Sequence, residues 1–186
     1  MSGTIKKITV SFLVVLALAG AGGWFFFLRQ TSPQILEFDI DRDGKDILAI
    51  FDRDWDWLIP GGRETFSPEL MMAYRAPQQS PLYSGRLKIK VMRDDDGCMI
   101  GFVAWYMKNA DVGFLNFLDV NPEYRGKGYA EKLLRYGMDQ MIQSGAKKLE
   151  MVTWPHNARA RALYDRVGWR AKGIEGRQIH YEYYPS

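Results

Sequence analysis

The stretch that most constrains the fold runs from Val112 to Thr153. An apolar strand, Val112 to Val120, passes through Asn121-Pro122-Glu123-Tyr124-Arg125-Gly126-Lys127-Gly128-Tyr129 into an amphipathic helix. There Ala130, Leu133, Leu134, Gly137, Met138, Met141 and Ile142 recur at helical spacing, and Ser144-Gly145 stops the helix. Leu149 to Thr153 then reads as a buried strand.

The flanks extend the same alternation. Ile35 to Ile40 reads as a strand, Asp43 can N-cap a helix running to about Trp57, and a short helix follows Ser67-Pro68, containing Leu70 to Tyr74. Leu87, Ile89 and Val91 alternate with Lys88 and Lys90 as a half-exposed strand. Asp94-Asp95-Asp96-Gly97 is a turn into the nearly continuous apolar strand Cys98 to Met107, with Cys98 expected in the core. After Thr153, Ala160, Leu163, Tyr164 and Val167 share one helical face that Gly168 closes, and Trp169–Ile174 with Gln178–Tyr184 forms a last hairpin. The order predicts an α/β (α+β) domain, a mixed sheet with helices on both faces.

Ile8 to Leu28 is a run without a charge, flanked by Lys6-Lys7 and Arg29. At ~1.5 Å per helical residue it spans the ~30 Å of a bilayer core. Ala19-Gly20-Ala21 resembles a signal-peptide cleavage site, but cleavage there would expose Trp24-Phe25-Phe26-Phe27-Leu28 at a new N-terminus. The expectation is a tail over 1–7, an uncleaved transmembrane helix over 8–28, a linker over 29–34 and one domain over 35–186.

Lys6, Lys7 and Arg29 account for the whole net charge of +3, and the remainder balances 22 basic with 22 acidic residues. A neutral body argues against a nucleic-acid binder. It is polarised, however: residues 30–120 hold 10 basic and 15 acidic groups, and residues 121–186 hold 12 and 7. One half suits a cationic ligand and the other an anionic one, unless both are solvated surface. One cysteine and two histidines exclude a Cys-rich zinc site and disfavour any metal centre. Asp39-x-Asp41-x-Asp43-Gly44 imitates a calcium loop, but the twelfth position is Ile50 rather than Glu, so a strand end and helix cap explain it.

One constellation carries chemistry. Gly126 and Gly128 allow backbone conformations that leave successive amides exposed at a helix start. Those amides, the helix dipole, Arg125 and Lys127 together suit an anion. Further on stands Asn157-Ala158-Arg159-Ala160-Arg161-Ala162-Leu163-Tyr164-Asp165-Arg166-Val167-Gly168-Trp169. The two segments resemble the GNAT acetyltransferase superfamily. Its pyrophosphate motif, Arg/Gln-x-x-Gly-x-Gly/Ala, is met by Arg125, Gly128 and Ala130. Its second motif, Asn-x-x-Ala-x-x-Leu-Tyr-x-x-x-Gly-aromatic, is met by Asn157, Ala160, Leu163, Tyr164, Gly168 and Trp169. The nearest subgroup is similar to the ribosomal-protein alanine acetyltransferases.

The resemblance implies a mostly antiparallel sheet whose central strands splay, acetyl-CoA as cosubstrate, and an amine acceptor. The pantetheine arm would pair with backbone along Leu118, Asp119 and Val120, and the diphosphate would sit on Arg125, Gly126, Lys127, Gly128, Tyr129 and Ala130. Asn157 would bind the arm beside Ala160, and Tyr164 would be the general acid. Because acetyl-CoA is cytosolic, the domain is expected on the cytoplasmic side of the membrane.

The family's usual base positions fall on Val152 and Phe114, which leaves Glu150, Asn116, Asp119, His156, a water chain or an amine that arrives unprotonated. Asp52, Asp54, Trp55, Asp56 and Trp57, with Tyr181, Tyr183 and Tyr184, could receive a cationic acceptor. The missing base keeps open a non-catalytic module that binds acetyl-CoA or scaffolds a membrane complex.

Overall fold

The computed structural model describes residues 33–59, 66–74 and 87–185. The expected membrane helix over 8–28 and the tail before it lie outside the described residues, among which no helix is long and apolar enough to cross a membrane. The chain order is β1 (Gln34–Glu37), α1 (Ile40–Leu58), α2 (Pro68–Met72), β2 (Lys88–Arg93), β3 (Met99–Met107), β4 (Val112–Val120), α3 (Tyr129–Gln143), β5 (Lys148–Thr153), α4 (Ala158–Val167), β6 (Arg170–Glu175) and β7 (Gln178–Tyr183). A single 3-10 turn, Pro122–Tyr124, sits between β4 and α3.

The strands form one sheet in the order β1-β2-β3-β4-β5-β7-β6. β4 and β5 pair in parallel and every other neighbouring pair is antiparallel, as the family resemblance implied. Each face carries its own core. On one side α1 and α2 pack Ile47, Ile50, Phe51 and Met71 against Phe102, Ala104 and Phe117. On the other, Leu133, Leu134, Met138 and Met141 of α3 and Leu163 and Val167 of α4 pack against Val103, Trp105 and Leu115. β3 lies between these cores, so both its faces are covered and it reads as continuously apolar rather than alternating. Phe51 anchors the first core, with ring centroids 5.4 Å from Phe117 and 6.1 Å from Phe102.

The cap of α1 differs from expectation. Asp39, not Asp43, is the N-cap: its carboxylate accepts the Arg42 N–H at 3.0 Å. Asp43 lies inside the first turn and accepts the Asp39 N–H at 2.8 Å, so the two aspartates cap reciprocally. Asp43 is wholly buried and also receives the guanidinium of Arg93 from β2 at 2.6 Å and that of Arg42 at 2.8 Å. Asp43 turns inward instead of capping because the buried Arg93, 50 residues away, holds its carboxylate.

Smaller differences concern boundaries. β1 starts at Gln34, inside the expected linker, and ends at Glu37, while α2 stops at Met72. Cys98 is exposed in the turn before β3, not in the core, because the ladder begins at Met99.

Candidate active site

The two central strands part company where the sheet changes direction. β4 and β5 pair from Val112 opposite Lys148 to Phe114 opposite Glu150, and the ladder then stops. On its other side β4 stays paired with β3, but Ala104 faces Phe117 and Trp105 faces Leu115, so Asn116 is an inserted residue. The bulge turns the rest of β4 away from β5. The Asn116 amide nitrogen is buried at this point and has no hydrogen-bond partner among the described residues.

Into the gap opens a cleft of about 840 Å³. One end lies at the turn from β4 into α3. Gly126 and Gly128 have φ of +80° and +84°, and a Cβ added at either would meet nothing within 4 Å. The glycines are therefore needed for backbone conformation, and the space above them is open. Gly128 is the α3 N-cap but offers no side-chain acceptor, so no side chain caps the first turn, whose Tyr129, Ala130 and Glu131 border the cleft. Positive-φ turn, uncapped helix start and open space fit a diphosphate.

The middle of the cleft is bounded by Leu118 and Val120 on β4 and by Asn157, Ala160 and Tyr164 on α4. The Asn157 side-chain Oδ1 caps α4 by accepting the Ala160 N–H at 3.2 Å, which leaves the side-chain amide donors for a ligand. Tyr164 packs edge-on against Tyr181 with centroids 5.6 Å apart. Burial, then the nearby Tyr181, raises the Tyr164 phenol above its usual range, so it keeps its proton at neutral pH.

The side of the cleft toward α1 is aromatic and acidic. Trp57, at the end of α1, has its ring 5.2 Å from His156, which in turn stacks on Trp154 at 5.8 Å. Asp54 sits where α1 leaves helical geometry, at φ −113° and ψ 23°. Its carboxylate accepts from Arg53 at 2.7 Å and Arg125 at 2.9 Å, and Arg53 reaches on to the Asn121 side chain at 2.8 Å. Asp119 points at the same group. Burial and the neighbouring Asp54 charge push the Asp119 carboxyl up to about 7, against the pull of Arg125 and Arg53.

Residues 47–169 match the model of the acetyltransferase (GNAT) family. The chain belongs to that family. Over 84 residues it is 36% identical to the uncharacterized N-acetyltransferase YhfO of Bacillus subtilis, a match over 42% of this chain that spans about half, 56%, of that relative. Its fold superposes on a GCN5-related N-acetyltransferase from Kribbella flavida with TM-score 0.66 at 17% identity, covering 82% of this chain and 98% of that one. A PaiA N-acetyltransferase from Thermoplasma acidophilum in complex with coenzyme A gives TM-score 0.65 at 18% identity, covering 83% and 99%. GNAT enzymes draw their acyl group from acetyl-CoA.

Leu118, Asp119, Val120, Arg125, Gly126, Gly128, Tyr129 and Ala130 border one cleft with Asn157, Ala160 and Tyr164. Lys127 does not border it; its ammonium lies over the Tyr124 ring at 5.3 Å. The Arg125 guanidinium donates to the Val120 carbonyl at 2.6 Å and to Asp54 at 2.9 Å.

Of the acceptor candidates Asp54 and Trp57 reach the cleft, whereas Trp55 is in the α1 core. Tyr181 supports Tyr164 from behind and Tyr183 packs on Trp169. Among base candidates Glu150 is spent: burial opposes its charge, but Lys108 at 2.8 Å and Lys148 at 2.5 Å hold its pKa below the usual value. Phe114 and Val152 border the cleft as apolar side chains. Sequence reasoning missed Arg53 and Trp154. Arg53 reaches Asn121 and Asp119, 68 and 66 residues away, and the stacking of Trp154 on His156 follows no sequence motif.

Proposed function

We propose that the protein is an acetyl-CoA-dependent N-acetyltransferase that moves an acetyl group to a primary amine, of a peptide or of a small cationic molecule, by direct attack in a ternary complex. The observation that carries this is the coincidence, in one cleft, of an open glycine turn at a helix start, a strand edge freed by the Asn116 bulge, and a buried tyrosine bordering the gap. Acetyl-CoA supplies the activated acyl carbon. The α3 amides bind the diphosphate, and the Leu118–Val120 edge with Asn157 orients the pantetheine arm. Backbone N–H groups along the cleft stabilise the charge that develops on the carbonyl oxygen.

Tyr164 delivers a proton to the departing sulfur. Its hydroxyl makes no hydrogen bond to another described residue, and its raised pKa keeps the donor form populated. The second motif supports a likeness to alanine acetyltransferases, and the acidic, aromatic side of the cleft supports a cationic acceptor. The apolar Phe114 and Val152 favour the alternative, a non-catalytic acetyl-CoA-binding or scaffolding module.

Residues 8–28 we assign, on hydropathy alone, to a single-pass N-terminal anchor with the domain on the cytoplasmic side. The testing experiment incubates the full-length protein with acetyl-CoA and a panel of peptides and small amines, following free CoA thiol. Transfer to at least one amine is expected. Tight CoA binding with no transfer to any of them would leave the binding module.

A further inference from the structure

We propose that Asp119 is the general base of this reaction, taking the proton from the acceptor ammonium on the α1 side of β4; this rests on the acetyltransferase function proposed above. Leu118 and Val120 pack toward the α3 core, so strand alternation aims the intervening side chain at the opposite face. There Asp119 enters the cleft beside Asp54, each side chain 10% exposed.

The two carboxylates are not equivalent. Asp54 takes the short contacts, from Arg53 Nε at 2.7 Å and Arg125 Nη2 at 2.9 Å. Asp119 Oδ1 meets the same guanidiniums only at 3.4 and 3.7 Å, and no donor reaches its Oδ2 among the described residues. Asp54 is thus satisfied, and Asp119 keeps proton-accepting capacity on a strand edge that borders the donor's path.

Arg53 and Asp54 face Asp119 from α1, and Arg125 faces it from the turn before α3; His156 and Tyr164 border the same cleft from other elements. Burial and the Asp54 charge raise Asp119 to about 7, near the working pH that suits a base. His156 is the other titratable candidate, but its ring is flanked by Trp57 and Trp154.

The step balances. The Asp119 carboxylate removes one proton from the ammonium, and the freed nitrogen pair forms the C–N bond as the carbonyl π pair moves onto oxygen. That pair returns, the C–S bond breaks, and sulfur takes the Tyr164 proton. The phenolate recovers a proton from the new amide nitrogen, and the proton on Asp119 passes to solvent. Amide, free thiol and one proton are the products.

Two nucleophiles test this in the full-length protein: benzylamine, an ammonium at neutral pH, and hydroxylamine, which is already uncharged there. In the wild type kcat/KM for benzylamine should rise with pH through about 7. Asp119→Asn should lower it by ~10²–10⁴-fold and erase that limb, while hydroxylamine transfer falls by less than about tenfold. Asp119→Glu should restore part of the rate and the limb.

A ligand-free readout accompanies these. Asp119 has a folded pKa raised from 3.8 to about 7, so it disfavours folding increasingly as pH rises across that range. Asp119→Asn should therefore gain melting temperature relative to wild type as pH rises toward 7. Equal losses for both nucleophiles, a limb that persists in Asp119→Asn, or one removed instead by His156→Gln would overturn the base. Transfer by the wild type to neither nucleophile nor any amine of the panel above would overturn the acetyltransferase function itself.

Discussion

Replacing Gly128 separates the strain of the turn from its ligand chemistry. The residue has φ +84°, and a Cβ there would touch nothing within 4 Å, so Gly128→Ala introduces conformational cost without a clash. A side chain in the left-handed region costs ~1–2 kcal/mol. At ~2–4 °C per kcal/mol for a chain of this size, the ligand-free melting temperature should fall by ~2–8 °C. The first-turn amides survive in Gly128→Ala, so CoA at a hundredfold excess over its Kd should still stabilise by ~2.7 kcal/mol, or ~5–11 °C. Gly128→Glu carries the same backbone strain and adds a negative charge where the diphosphate would sit. Its ligand-free melting temperature should match that of the alanine variant, and its CoA shift should vanish. Differential scanning fluorimetry with and without CoA measures all four quantities. A full CoA shift in Gly128→Glu would refute the cradle, and an unshifted ligand-free melt in both variants would refute the strain argument.

Three further outcomes follow from the geometry. Tyr164→Phe keeps the ring against Tyr181 and removes only the proton donor, so steady-state kinetics should show kcat lower by ~10²–10⁴-fold with CoA affinity unchanged in a binding titration. Gly101→Ala places a Cβ into the Asp119 carbonyl oxygen and 2.9 Å from Val120 Cα; β4 must shift, and both thermal stability and CoA affinity should drop together. Asp43→Ala removes the buried acceptor shared by Arg93, Arg42 and the Asp39 N–H, but Asp46 still holds Arg93 at 2.7 Å. The change should cost ~1–3 kcal/mol, read as a melting temperature ~2–12 °C lower. Burial opposes Asp43's charge, yet Arg42, the Asp39 N–H and Arg93 win and lower its pKa. Its stability contribution is therefore complete above the unfolded value near 3.9 and is lost as pH falls through the lower folded value, which acid melts of wild type against Asp43→Asn would show.

The sheet and its helices were legible because each rests on a local period. The α3 stripe from Ala130 to Ile142, the apolar runs of β3 and β4 and the stop at Gly168 all depend on neighbours within one or two turns. The glycine turn was legible for the same reason: Gly126 and Gly128 report their own backbone requirement. The Asn116 bulge was not. β4 alternates well enough to look regular, and the inserted residue shows only when Ala104 and Trp105 of the partner strand are set beside it.

Charge was the least legible property, since it is decided by pairs far apart in the chain. Arg125 reads as a ligand for phosphate beside two glycines, yet its guanidinium is bound to Asp54, 71 residues earlier. Asp119 reads as one more acid in an acidic half, yet the prior claim of Asp54 on both arginines leaves it half-paired in a buried place. Asp54 sits, moreover, where α1 departs from helical geometry, a feature no residue type near it announces. The same composition with Asp54 turned to solvent would pair Asp119 fully with Arg53 and Arg125, depress its pKa and remove its capacity to take a proton. The acid that matters is therefore specified by the side chain that leaves it unpaired.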